Sequence, residues 1–495
     1  MFTTLDTFAL IAYLGVIVAM GLYLSRKNHD FHDYMFGGGR MPWWSIGISL
    51  IATSVSASTF LGNPAETFQG DMTYLMFNIG SLVSIMIVAV WFIPRFQRMK
   101  VVSAYELLEI TFSRPVRLLA ASFYTAHLLL RTGILLYGPA LVLSQMLGLN
   151  IYLAICITAF IAIVYTWFGG LKAVVWTDVL QFFVLAGGGL LALWTCTEAV
   201  GGWAELSEAA IEAGKTKWFD TTVDPSQAGN FLSAGVAYIV FDLAIRGCDQ
   251  QFVQRYMSCR DAFEANRGSY LSLLLGALIG LLFFWVGAAL YVYFEVTRVT
   301  FLPPALGVNE IFPYFILHVL PPGLTGLLVA AIFAAAMSSL DSAVTALANT
   351  TVTDFLPHNE DVKKCPKGTL LRARMWVLFW GVIGTLAAFV CVAGEQSLLT
   401  KALFFTSLFI GPLLGLFLCA FFFPYLASRA VIIGAVLGMA SLLPFSTIPV
   451  IPAEWFQPVY PLSWTWKPLV SMSFCLITAH IANLFVRSNG EETVP

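Results

Sequence analysis

The sequence predicts an all-α polytopic membrane protein of about 13 transmembrane helices, and three observations carry that reading. Apolar runs of about 20 residues, the length a helix needs to cross a bilayer, recur from end to end. Charged residues make up 11% of the 495, against about 25% in a soluble chain, and mean hydropathy is +0.81. The runs are long and continuous, unlike the short alternating segments of a membrane β-barrel.

The expected spans lie near 5–25, 42–69, 73–96, 117–147, 150–167, 173–198, 229–249, 267–296, 323–353, 369–393, 397–423, 427–446 and 466–487. The first lacks a basic leader and a small-residue cleavage site, so it reads as a retained span. The second holds "LIATSVSASTFLGNPAE", in which Thr53, Ser54, Ser56, Ser58 and Thr59 precede Gly62, Asn63 and Pro64. That is too much polarity for a plain span, and an unwound segment explains it: free carbonyls and half-helix ends can face an ion or solute. The fourth span carries Arg131 at its centre, the sixth Asp178 near its start, the seventh Asp242, and the ninth "AAAMSSLDSAVT". The longest loops, 199–228 and 297–322, are too short for a soluble domain. No zinc spacing, phosphate-binding loop or Ser/His/Asp signature is present, so the chain reads as a single transmembrane domain and not as an enzyme.

Orientation follows from basic residues, which accumulate in cytoplasmic loops. With the N-terminus outside and the C-terminus cytoplasmic, 20 of the 26 fall inside: Arg26, Lys27, Arg40, Arg95, Arg98, Lys100, Arg114, Arg117, Lys172, Arg246, Arg255, Arg260, Arg267, Lys363, Lys364, Lys367, Arg372, Arg374, Arg429 and Arg487. Lys215, Lys217, Arg298, Lys401 and Lys467 fall outside, and Arg131 belongs to neither side. The eight cysteines sit in spans or cytoplasmic loops, so no structural disulfide is expected.

Polarity at bilayer depth is costly and marks candidate function. Hard cations take oxygen ligands, and two clusters supply them. On helix 2, Ala52, Val55 or Ser56, and Thr59 share a face; on helix 9, Ala335, Ser338, Ser339 and Ser342 do, with Asp341 nearby. Asp178 should lie at the depth of Ser342, as a cation ligand or as a water-facing helix cap. Arg131 needs a partner, since a midplane arginine costs about 2.5–3.5 kcal/mol on insertion scales. Either Asp242 or an anionic solute can serve, and Asp242 also has Arg246 four residues on.

Four stretches, in order, resemble the sodium/solute symporter family: "YMFGGGRMPWWSIGISLIATSVSASTFLGNPAE", "YTWFGGLKAVVWTDVLQ", "DQQFVQRY" and "AAAMSSLDS". The resemblance implies a five-plus-five inverted repeat, about 42–198 and about 229–423, with helices 2 and 7 interrupted. The helices near 5–25, 427–446 and 466–487 would be additions to that core. It also implies a main sodium site of carbonyls from Ala52, Val55 and Ala335 and hydroxyls from Ser338 and Ser339. A second sodium site, found in some members, would use Asp178, Ser338, Asp341 and Ser342; Asp341 departs from the hydroxyl of some two-sodium members. "LLRTGILLYGPALVLSQMLGLN" is similar to the sialic-acid and monocarboxylate branches. Matching solute-facing positions are Ser54, Ser56, Thr59, Tyr74, Asn78, Arg131 and Asp242, the last more often asparagine.

The expected function is sodium-coupled symport of a small polar solute into the cytoplasm by alternating access, the solute being an organic acid such as sialic acid or a monocarboxylate. A sugar, polyol or proline-like symporter shares the fold. An ion channel, the rival from another class, would need a continuous polar pore. Expected partners are Na+, the solute and the lipid of a plasma (inner) membrane, with no nucleic acid and a functional monomer.

Overall fold

The computed structural model describes residues 3–25, 31–303, 306–356, 366–392, 398–445 and 462–488. Arg26, Lys27, Lys363, Lys364 and Cys365 lie outside them, and for Ser58, Lys367, Cys391, Lys401 and Arg487 only the backbone is described. Among the described residues the chain is helical, with no strand, and every apolar run read above falls in a helix. Among the described residues ten helices are long and apolar enough to cross a membrane, eleven when the bent pair Trp43–Ser54 and Thr59–Gln69 is one span. Two shorter apolar helices, Ile151–Val164 and Thr406–Phe422, accompany them.

We label the helices α1 (Thr4–Ser25), α2a (Trp43–Ser54), α2b (Ala57–Gln69), α3 (Thr73–Met99) and α4 (Arg114–Leu147). The two arms of Ile151–Val200 are α5 and α6; α7a (Phe231–Cys248) and α7b (Gln250–Met257) follow. Next come α8 (Ala262–Val296), α9 (Leu324–Phe355), α10 (Pro366–Val392), α11 (Leu398–Phe422), α12 (Ser428–Ala440) and α13 (Trp466–Ser488).

Three interruptions shape the fold. In α2 the helix stops at Val55 (φ −83°, ψ 101°) and restarts after Ser56 (φ −102°, ψ 176°), the halves meeting at 58°. The last carbonyls of α2a therefore have no partner within their own helix. Between α5 and α6, Gly170 takes φ 62° and ψ −169°, which only a residue without Cβ adopts at little cost. The Tyr34 hydroxyl fills that bend, donating to Thr166 O at 3.2 Å and Trp167 O at 3.1 Å. The third interruption, at Asp249 (φ −76°, ψ 126°), separates α7a from α7b. It lies at the end of the span read from sequence, because α7b was read as cytoplasmic loop. In the fold α7b is packed inside the protein, with Gln250 to Tyr256 all buried. Arg255 on it, like Arg117 and Arg246, is thus a buried group and not a solvated loop charge.

The centre of the molecule is α9, where every residue from 328 to 350 is buried. It packs against the α5–α6 arm, α4, α1 and α10. Its small residues allow this: Ala334, Ala335, Ala336, Ser338 and Ser339 let neighbouring backbones approach. Along the broken helix, α8 packs on both α2a and α2b. Here too the approach depends on absent side chains, since a Cβ on Gly268 would stand 2.9 Å from Trp43 O.

Candidate functional site

The break in α2 faces the buried hydroxyls of α9. Ser338 Oγ donates to Ala52 O at 3.0 Å or to its own-helix Ala335 O at 3.1 Å. Ser339 Oγ lies 3.3 Å from both Thr53 O and Ala335 O. Orphan carbonyls of α2a are thus met by side chains from a different helix. Ala52, Val55, Ala335 and Ser338 line one small cavity together with Ala334, Gln181, Phe182 and Leu185. Of the five positions expected to form the main cation site, four line this cavity, and the fifth, Ser339, borders its Ala335 carbonyl. For a hard cation of calcium's size, oxygen ligands stand about 2.3–2.6 Å away, so neighbouring ligand oxygens lie about 3 Å apart. Hydroxyls that now donate to these carbonyls can turn their lone pairs to an ion instead.

One turn away lies a charged cluster. Asp178 is fully buried, which overturns its reading as a water-facing cap. Its Oδ2 accepts from the Ser49 hydroxyl and from Arg255 Nη2, the latter at 3.1 Å. Arg255 also donates from Nε to Ser49 Oγ at 2.7 Å, from Nη1 to Gln251 O at 2.9 Å, and from Nη2 to Ser342 Oγ. Asp178 and Ser342 therefore do share a depth, as their opposite helix directions implied. Ser342 Oγ donates onward to Ser338 O at 2.7 Å and lies 3.2 Å from Thr53 Oγ1. Asp341 Oδ1 accepts from the Ser342 backbone N–H at 2.6 Å. A hydrogen-bonded chain so connects Arg255 to the hydroxyls at the α2 break.

The solute-facing residues read from sequence divide. Asp242 is held by Arg246 Nε at 2.8 Å, its helical neighbour four residues on, and not by Arg131. Among the described residues Arg131 makes no ion pair; of the buried acidic groups it is Asp249, at the α7 break, whose charge acts on it at longer range. Asn78 Nδ2 donates to Leu75 O at 3.0 Å, and Ser54 Oγ returns to Leu50 O of its own helix at 3.0 Å. Ser56 is buried at the break, while Thr59 and Tyr74 are half-buried. Beside them stands an aromatic group absent from the sequence reading: Phe77 packs on Tyr238 at 4.6 Å and on Trp464 at 5.4 Å, and Trp464 on Phe241 at 4.9 Å.

Sequence reasoning also missed Ser49, Thr53 as a link, and Arg255. A partial signal for Arg255 was present: Phe252, Val253 and Tyr256 lie within three residues of it, although Gln254 directly precedes it. A further buried pair outside the site, Arg117 Nε with Asp354 Oδ1 at 2.7 Å, joins the start of α4 to the end of α9.

Three comparisons bear on this arrangement. A family model described as the sodium:solute symporter family matches residues 34–440. The chain is 30% identical over 446 residues to the sodium/sialic acid symporter SiaT of Proteus mirabilis, covering 88% of each. With the human sodium-coupled monocarboxylate transporter 2 it shares 30% over 437 residues, covering 86% of this chain and 68% of that one. Among solved structures, the substrate-bound outward-open state of a Na+-coupled sialic acid symporter superimposes with a TM-score of 0.86 at 27% identity, over 98% of both chains.

Proposed function

The chain belongs to the sodium:solute symporter family, and on that premise we propose that its solute is a small organic acid received at Arg131. The protein is a secondary active transporter that couples solute movement to sodium. Carbonyl oxygens of Ala52, Val55 and Ala335 and hydroxyls of Ser338 and Ser339 hold the co-transported ion. The observation that carries this is the Ser338 hydroxyl within 3.0–3.1 Å of two carbonyls from different helices, Ala52 and Ala335. Sodium there ties α2 to α9, so its binding favours the conformation that receives solute, and its loss inside releases both. Each charge that moves down the membrane potential contributes about 2.3 kcal/mol per 100 mV.

For the solute, Arg131 offers the planar fork that binds a carboxylate in bidentate fashion. Neither Asp242, which pairs with Arg246, nor any other carboxylate among the described residues makes an ion pair with it. Ser54, Ser56, Thr59, Tyr74 and Asn78 line the approach, and relatives that carry sialic acid and monocarboxylates support an acid. The two half-repeats, about 42–198 and about 229–423, are supported by the breaks in α2 and α7, the opening helix of each. Basic-residue asymmetry supports an N-terminus outside and a C-terminus in the cytoplasm, and one chain suffices for the site, so the working unit is a monomer.

The test is uptake into proteoliposomes with labelled sialic acid, pyruvate, proline and glucose, with and without a sodium gradient. Sodium-driven accumulation of one of the acids is expected. Uptake indifferent to sodium, or glucose as the best solute, would overturn the proposal.

A further inference from the structure

One ring of the aromatic group beside the solute-facing residues comes from outside the segment that the family model matches, which ends at residue 440. Trp464, two residues before α13, touches Phe77 of α3 at 5.4 Å, and Tyr238 and Phe241 of α7a at 6.0 and 4.9 Å. Those separations are contact distances for aromatic pairs. Its own segment is fixed on both sides. Ser463 N donates to Pro225 O at 2.9 Å, in the loop between α6 and α7a, and Trp466 Nε1 donates to Ser233 Oγ at 2.9 Å, at the start of α7a. Phe77 in turn precedes Asn78 and packs on Tyr74 at 4.9 Å, the two α3 positions that line the solute's approach.

We propose that Trp464 is a specificity-determining residue that acts through Phe77: it fixes the α3 wall of the solute site and so limits the size of the acid accepted. This rests on the acid-binding reading above and adds what sets its upper limit. At Gly80 the helices α3 and α7a are in close backbone contact, since a Cβ there would stand 3.0 Å from Ala234 O. Neither helix can close further at that level. One turn earlier on α3, Phe77 is held by rings, Tyr238 at 4.6 Å and Trp464 at 5.4 Å. Side chains at interior packing density do not yield while each has a neighbour behind it. Deleting the indole leaves a void that its neighbours fill only in part, and Phe77 then has room to withdraw with the solute-facing turn of α3. A longer acid fits the space gained, and a short one loses contact. The proposed sodium ligands lie on other helices, α2 and α9, so sodium dependence should not change.

The experiment is competition for uptake into proteoliposomes under a sodium gradient, with labelled pyruvate or sialic acid, whichever is accumulated. Competitors are homologues lengthened one methylene at a time, in the 2-oxo acid chain for pyruvate and in the N-acyl chain for sialic acid. The wild type should reject homologues beyond a certain length. Trp464→Ala should cut its preference for the labelled acid over the first rejected homologue about tenfold, the low end of what one methylene is worth in an apolar pocket. The change should fall on KM for the labelled acid, with maximal rate and half-saturating sodium unchanged. Trp464→Phe, which keeps a ring in contact, should retain most of the wild-type preference. A merely structural role would lower the melting temperature or the maximal rate and leave the preference alone, and that result in Trp464→Ala overturns the inference. Where Trp464→Ala fails to insert, Trp464→Leu decides: it should shift the preference in the same direction by less, and a wild-type preference overturns the inference. So does a wild type that accepts every homologue equally. A wild type that accumulates neither acid removes the acid reading and this inference with it, whereas an unchanged preference in a carrier of acids removes this inference alone.

Discussion

Both α2 and α7 are broken, and the two breaks are built in opposite ways. At the α2 break the residue at the restart, Ser56, gives α2b no side-chain N-cap bond. The exposed carbonyls of Ala52 and Thr53 are met instead by neutral hydroxyls from α9. At the α7 break the chain caps itself: Asp249 accepts from Gln251 N at 2.7 Å, and Arg255 fixes α7b to α2a, α6 and α9. Neutral hydroxyls can exchange a carbonyl for an ion at small cost. Charged partners in a dry interior cannot part without stranding each other. The first break is therefore suited to a ligand that comes and goes, and the second to holding position.

The largest effect should come from breaking the locked side. Arg255→Gln strands Asp178, and removing one member of a buried pair costs about 3–5 kcal/mol. Detergent melting should fall clearly in sodium-free buffer, and adding Asp178→Asn should recover most of the loss. A melting temperature equal to wild type would mean that the α7 break is not held by charge.

Next in size is the solute. Arg131→Lys keeps the charge but loses the fork, and hydrogen bonds to charged groups are worth about 1.5–3 kcal/mol. Acid affinity should weaken roughly ten- to a hundredfold, with insertion intact. Because Asp242 belongs to Arg246, Asp242→Asn should lower stability by the same amount whether residue 131 is arginine or alanine. Non-additive melting shifts would instead couple Asp242 to Arg131.

A smaller change follows from the α7 cap. Asp249→Ala removes an N-cap bond worth about 0.5–2 kcal/mol, measurable as a lower melting temperature, and sodium should not restore it. The mildest perturbation sharpens the contrast from the other side. Ser339→Ala should leave sodium-free melting nearly unchanged and raise the sodium concentration for half-maximal uptake about two- to tenfold, the scale of one hydrogen bond, about 0.5–1.5 kcal/mol. If Ser338→Ala and Ser339→Ala both leave sodium dependence untouched, the ion does not bind at the α2 break.

The sequence by itself determined the helices, the break in α2 and the helices that would answer it. Those features are local or periodic: an apolar run of bilayer length, hydroxyls crowded beside Gly62, Asn63 and Pro64, and a one-sided row at Ala335, Ser338, Ser339 and Ser342. Opposite helix directions even placed Asp178 and Ser342 at one depth. What only the tertiary structure decided is which buried charge meets which. Asp242 and Asp249 are seven residues apart, two turns on one helical face, so periodicity does not separate them as partners for Arg131. They differ by about 10 Å along the axis at 1.5 Å per residue, and the fold pairs Asp242 with Arg246 and uses Asp249 as the cap of α7b, leaving Arg131 in no ion pair among the described residues. Likewise Arg255 could be read as a loop charge until α7b folded back inside. Partner choice depends on the rotation and sliding of whole helices, set by contacts such as Gly268 on Trp43 that a one-dimensional pattern does not carry.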